Sequence, residues 1–338
     1  MLIIGCDFHP GFQEVAMLDN ETGELWRRRV NHPEQAREFY AALSKPVRVG
    51  MEACGYSQWF ERMLGELGQE LWIGDAAQIR ASVVRQQKTD PRDAEHILKL
   101  LVEGRFPRLW VPSAEERDAR QLLVHRHQRV RARTQMKNQL QALALNQGVQ
   151  RKRRLWSRAG RRELEQLELL PFAARRRTEL LESLDRLDRQ IAELDQAVAA
   201  EARRRPEAVC LMTHPGVGPN TALATVLTLG PVERFRTAKH VASYVGLIPR
   251  EHSSGGRQRL GHLSKQGSPL LRFLLVEAGQ TAARIEPGLR RRYLRWSLKI
   301  GRSKAKVAVA RTLVTRLYWM LRTGKPYTRP QLVGSLCR

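Results

Sequence analysis

Apolar positions in the first hundred residues come in two kinds of run. Short apolar stretches at 2–7 and 13–18, separated by His9-Pro10-Gly11, have the length of strands, and the turn residues Asp19-Asn20-Glu21-Thr22-Gly23 lead into a third at 24–30. These three predict a meander. Helical spacing follows at 33–43, then a strand at 47–53, a helix at 56–67, a strand at 70–73 and a helix at 91–102. Three strands and then alternating helices and strands are the order of a mixed α/β sheet of the ribonuclease-H type, which we place at 1–108.

From 109 to 205 the pattern is helical. Ser113, with Glu116 three residues on, forms a capping box that starts a helix ending near 146. Leu180, Leu184, Leu187, Ile191, Leu194 and Val198 alternate spacings of four and three, a heptad seam. Two long helices with no room for a separate core predict a coiled-coil hairpin or a dimer arm. The last region, 206–338, has a glycine-rich turn at Pro215-Gly216-Val217-Gly218, an irregular Gly/Ser/Arg stretch at 250–268 and amphipathic helices from 269 onward. The expected architecture is therefore α/β followed by mainly α.

Charge changes the picture from fold to partner. Lys and Arg number 59 against 34 Asp and Glu, and the net charge runs from −3 over 1–100 through +8 over 101–200 to +20 over 201–338. Such a surplus exceeds the needs of solubility and points to a polyanion bound mostly by the last two thirds. Arginines on the first long helix, Arg126 and Arg129 among them, either face a nucleic-acid backbone or are simply solvated. Cys6, Cys54, Cys210 and Cys337 have no metal-ligand spacing and suit a reducing cytosol. The apolar segment 307–320 is broken by Arg311 and Arg316, so secretion and membrane spanning are not expected.

Four acids stand at element ends. Asp7 closes the first strand, Glu52 closes the strand at 47–53, and Asp90 and Asp93 lie three apart at a helix start, where they share a face. Converging carboxylates repel one another unless a cation neutralises them, and oxygen donors of this hardness select Mg²⁺ or Mn²⁺. Two such ions roughly 4 Å apart suit an in-line phosphodiester displacement. Taken singly, Asp90 ahead of Pro91 also fits a helix N-cap.

The Gly216 and Gly218 turn would let main-chain amides approach a phosphate, and it equally suits a tight helix-helix turn. Downstream, Arg250, Ser253, Ser254, Arg257, Lys265 and Arg272 put hydroxyls among cations that would offset charge on a phosphoryl group. By itself, Ser253-Ser254-Gly255-Gly256 reads first as a flexible loop. No nucleophile elbow and no Walker loop occurs, which argues against esterases and NTPases.

Together these segments resemble the DEDD transposases of insertion-sequence family 110, relatives of the Piv DNA invertases. The resemblance rests on Gly5-Cys6-Asp7, Glu52-Ala53-Cys54-Gly55-Tyr56, Lys88-Thr89-Asp90 with Asp93-Ala94, the Pro215–Gly218 turn, 242–250, and Ser254-Gly255 with Ser264-Lys265 and Gly267. It implies a RuvC-like domain whose acids are Asp7, Glu52, Asp90 and Asp93, a coiled coil, and a transposase domain in which Ser254 is the nucleophile, with neighbouring Ser253 as the alternative. It also implies a noncoding bridge RNA, donor and target DNA, and a homo-oligomer, dimer or tetramer, in a bacterial cytoplasm. Two other readings stay open: a junction resolvase that hydrolyses with water on the same acids, and a non-catalytic nucleic-acid-binding regulator.

Overall fold

Strict alternation along the first strand decides how the N-terminal unit is assembled. In the computed structural model, which describes residues 1–44, 46–83, 90–150, 152–251 and 259–328, β1 (Leu2–Phe8), β2 (Phe12–Asp19) and β3 (Leu25–Asn31) form the antiparallel meander that the pattern predicts. β4 (Val47–Glu52) runs parallel to β1, and β5 (Glu70–Gly74) parallel to β4, giving a mixed five-stranded sheet ordered β3-β2-β1-β4-β5. Leu2, Ile4, Cys6 and Phe8 face one side of it, where α1 (Glu34–Ala41) and α2 (Gln58–Glu66) contribute Tyr40, Phe60 and Leu64. Ile3 and Gly5 face the other. On that side lie α3 (Ala76–Ala81), a six-residue helix capped by Asp75, and α4 (Asp90–Val102), which packs Ala94, Ile97, Leu98 and Leu101 onto the sheet. The helix α3 was not predicted, because six residues are too few to show a period.

Two glycines let α4 descend onto the strands. A Cβ at Gly5 would stand 2.2 Å from the Ala94 carbonyl oxygen and 2.4 Å from the Leu98 amide nitrogen, both main-chain atoms. Its register partner Gly50 would place a Cβ 2.6 Å from a methyl of Leu101. Only a residue without a side chain fits at Gly5, and Gly5→Ala must lift the helix. We expect that substitution to lower the unfolding free energy of this unit by about 1–3 kcal/mol, read as a fall in its urea midpoint; an unchanged midpoint would show that the helix is not held this closely.

The chain divides into two compact units, Met1–Val111 and Pro112–Arg338. In the second, α5 (Ala114–Asn146), opened by the predicted Ser113/Glu116 capping box, runs antiparallel to α7 (Pro171–Arg203), with α6 (Arg158–Glu165) between them at the tip. Leu180, Leu184, Leu187, Ile191 and Val198 are buried, so the heptad seam closes within one chain. At the tip, Leu180, Leu181 and Leu184 pack with Leu140, Ala144, Leu155 and Leu164.

At the root, Ala119 and Leu123 of α5 and Val198 and Ala202 of α7 enter one core with most of the remaining helices. These are α8 (Pro206–Met212), α9 (Pro219–Leu229), α10 (Ala238–Tyr244), α11 (Pro269–Ile285) and α13 (Arg302–Thr323), while α12 (Pro287–Ile300) packs its Leu289 in a separate cluster with Ala282, Ala283 and Val309. Within the stretch expected to be irregular, β6 (Pro249–Glu251) and β7 (Leu260–Leu263) pair as a short antiparallel hairpin. Among the described residues no helix is long and apolar enough to cross a membrane.

Candidate active site

Strand parity brings the first acid to the helix. Ile3, Gly5 and Asp7 share the face of β1 that α4 covers, and α4 begins with Asp90 and Asp93 in its first turn. Burial raises the pKa of Asp7, and the nearby charges of Asp93 and Asp90 raise it further, while His9 opposes both. Burial is the larger cause, and the smaller upward push from Asp93 and Asp90 is that of like charges gathered near one carboxylate. Glu52 follows Met51, the register partner of Cys6, so it stands at the end of the strand beside Asp7. Its Oε1 accepts a 2.9 Å hydrogen bond from Arg80 on α3.

His9 joins this group although the sequence reading assigned it nothing. Its Nε2 lies 3.1 Å from an Asp7 oxygen and 3.7 Å from an Asp90 oxygen, and one ligand atom from each of Asp7, His9 and Asp90 falls within 4.8 Å of the others. The signal available was its place two residues beyond Asp7, just before Pro10-Gly11 turns the chain. An acid also passed over is Glu14, the register partner of Asp7 on β2 and therefore on the same face. Side-chain exposures of 20% for Asp7, 35% for Glu52 and 49% for Asp90 leave the cluster open to a phosphodiester. Several carboxylates with one imidazole, partly shielded and mutually repelling, are a donor set that fits a hard divalent cation.

The second group of predicted residues lies in the other unit. Ser254, its alternative Ser253, and Arg257 fall in 252–258, outside the described residues. Arg250 is exposed on β6, and Lys265 is exposed just after β7 with a left-handed backbone, φ 55°. Arg272 is committed locally: its Nη1 donates to the carbonyls of Val245 and Gly267 at 3.1 and 3.2 Å and also to that of Gln266. It thereby clamps the turn that carries Lys265.

The glycines of the Pro215–Gly218 turn divide their work. Gly216 has φ 84°, and a Cβ there would meet the main chain of α11, 2.5 Å from the Ala282 nitrogen, so this glycine serves packing. Gly218 caps α9 and has open space around it. On the hairpin, Arg126 pairs with Asp195 of α7 at 2.9 Å, and that carboxylate also accepts from Asn220 of α9 at 3.3 Å. Arg129 is half-buried.

Comparison with known proteins covers both units. Residues 4–148 match a family model described as Transposase, and residues 208–294 match one described as Transposase IS116/IS110/IS902 family. The chain is 30% identical over 335 residues to a probable family 20 transposase of Pseudomonas aeruginosa, covering 97% of this chain and 98% of the relative. It is 25% identical to the transposase for insertion sequence element IS1111A of Coxiella burnetii, over 83% of this chain and 78% of that one. Similarity to the pilin gene-inverting protein of Moraxella bovis is 30% identity over 44% of this chain and 46% of the relative.

Proposed function

The chain belongs to the IS110 family of insertion-sequence transposases, enzymes that act on DNA, and from that premise we propose a recombinase that cuts and rejoins DNA through its four acids and a serine nucleophile. The observation that carries this reading is the convergence of Asp90 and Asp93 on Asp7 beneath α4, with Glu52 ending the neighbouring strand. We read the sheet as RuvC-like, the hairpin within 109–205 as a basic arm that holds a noncoding bridge RNA, and 206–338 as the transposase domain.

In this mechanism Asp7, Glu52, Asp90 and Asp93 would hold Mg²⁺ or Mn²⁺. A cation held there would supply Lewis-acid polarisation of the scissile phosphate and offset charge on the leaving oxygen. The Oγ of Ser254 attacks phosphorus and loses its proton, the bond from phosphorus to the deoxyribose oxygen breaks, and that oxygen leaves as a hydroxyl. The resulting phosphoserine keeps a diester, so a hydroxyl on another strand reverses the chemistry and joins the ends without ATP. Arg250 and Lys265 offset charge on the phosphoryl oxygens, while Arg272 holds the turn bearing Lys265. Active assembly of two or four copies, in the bacterial cytoplasm, completes the proposal.

The test uses purified protein with its copurifying RNA, magnesium and DNA spanning the joined element ends. We expect DNA that stays attached to protein after heat and detergent and is released by protease. Only free ends, produced at full rate, would replace the serine with water and favour a resolvase. Sequencing the copurified nucleic acid should return one discrete RNA encoded beside the gene; random cellular RNA would remove the guide.

A further inference from the structure

Helices α11, α12 and α13 enclose a groove of about 330 Å³ that belongs neither to the acidic cluster nor to the serine region. Tyr293 and Leu294 of α12 form its apolar wall, Gln280 of α11 lies beside them, and Arg284, Arg290 and Lys306 stand around it, one from each helix. None of these three cations has an ion-pair partner among the described residues.

The carboxylates nearest in sequence are engaged or missing. Glu277 accepts from Gln280 at 3.1 Å, and buried Glu286 pairs with Arg316. From 287 to 338 the chain carries 14 basic residues and no acidic one. Three unpaired cations select an anion, and a half-buried tyrosine beside an exposed leucine offers a flat apolar body a place to rest.

An inorganic phosphate would satisfy the cations and leave that wall bare. A duplex would reach the cations with its backbone but keep its bases stacked inside, away from Tyr293. One unpaired nucleotide meets both demands, with its base against Tyr293, its edge toward Gln280 and its phosphate among Arg284, Arg290 and Lys306. The volume is at the lower end for ligand sites, which suits a single nucleotide. We propose that this groove binds one unpaired nucleotide of a single strand, either DNA opened during recombination or a loop of the RNA. The proposal rests on the chain's action on nucleic acid and not on the metal or the serine.

Binding is measured in EDTA, so its failure leaves the cutting mechanism untouched. Full-length protein is titrated with a ten-nucleotide single-stranded DNA, the matching RNA, a blunt duplex and a free mononucleotide. Tyr293→Leu should weaken single-strand binding by about 5- to 100-fold and leave duplex binding unchanged, which also shows that the variant is folded. Tyr293→Phe should bind as the parent does, and Lys306→Ala should lower the salt dependence by about one counterion. Ultraviolet crosslinks from bromouracil or 4-thiouracil should map to the peptide containing Tyr293. The source is whichever strand, DNA or RNA, loses more affinity. Equal losses on single strand and duplex, no loss in Tyr293→Leu, or a free mononucleotide bound as tightly as the oligonucleotide would each overturn the assignment.

Discussion

Asp7→Asn is expected to slow DNA cutting at least about a thousandfold while leaving nucleic-acid affinity intact. Several kcal/mol of transition-state stabilisation attend a bound divalent ion, and each 1.36 kcal/mol is a factor of about ten, so losing one central ligand removes three or more such factors. The same variant should be the more stable one in EDTA. Burial and the charges of Asp93 and Asp90 raise the Asp7 pKa in the folded chain against the opposing effect of His9. A carboxyl raised on folding contributes stability that is fully present below its unfolded value, near roughly 3.9, and lost as pH rises through the folded value. The metal-free parent should therefore lose stability across that window, and Asp7→Asn should lose less. At neutral pH without metal we expect the variant to melt roughly 2–6 °C higher, and manganese or magnesium to raise the melting point of the parent alone. Equal metal-induced shifts in both proteins, or full cutting by Asp7→Asn, would place the cation elsewhere.

Ser254→Ala is expected to abolish covalent attachment to DNA, whereas Ser253→Ala retains it. A methyl group has no lone pair with which to attack phosphorus, so the loss should be complete rather than partial. Binding of DNA and the metal-induced melting shift should persist in Ser254→Ala, because the acids lie in the other unit of the chain. If the adduct survives in Ser254→Ala and vanishes in Ser253→Ala, the nucleophile moves by one residue. If it survives in both, the attacking group is not in this segment.

Short apolar runs bounded by turn residues were enough to predict all five strands of the first sheet, and the positions of Asp7 and Glu52 near strand ends could be read from the sequence alone. What escaped were features fixed by partners far along the chain. Arg126 looks like a spare cation until Asp195, 69 residues later, is brought beside it. Arg272 looks free until the turn it clamps has folded, because main-chain carbonyls leave no trace in residue identity. His9 was missed for a different reason: one histidine after an aspartate has many explanations until Asp90 arrives on a helix from 81 residues away. Gly5 and Gly50 read as ordinary strand residues, and their purpose emerges only with the main chain of α4 lying against them.

The rooted hairpin has a mechanical corollary. Because Ala119, Leu123, Val198 and Ala202 sit in the same core as α9 and α13, the long helices join the C-terminal bundle without a hinge of their own. A partner gripping the tip near Leu155 and Leu164 would swing the bundle as a crank turns a shaft, because α5 runs as one uninterrupted helix from Leu123 at the root to Ala144 at the tip.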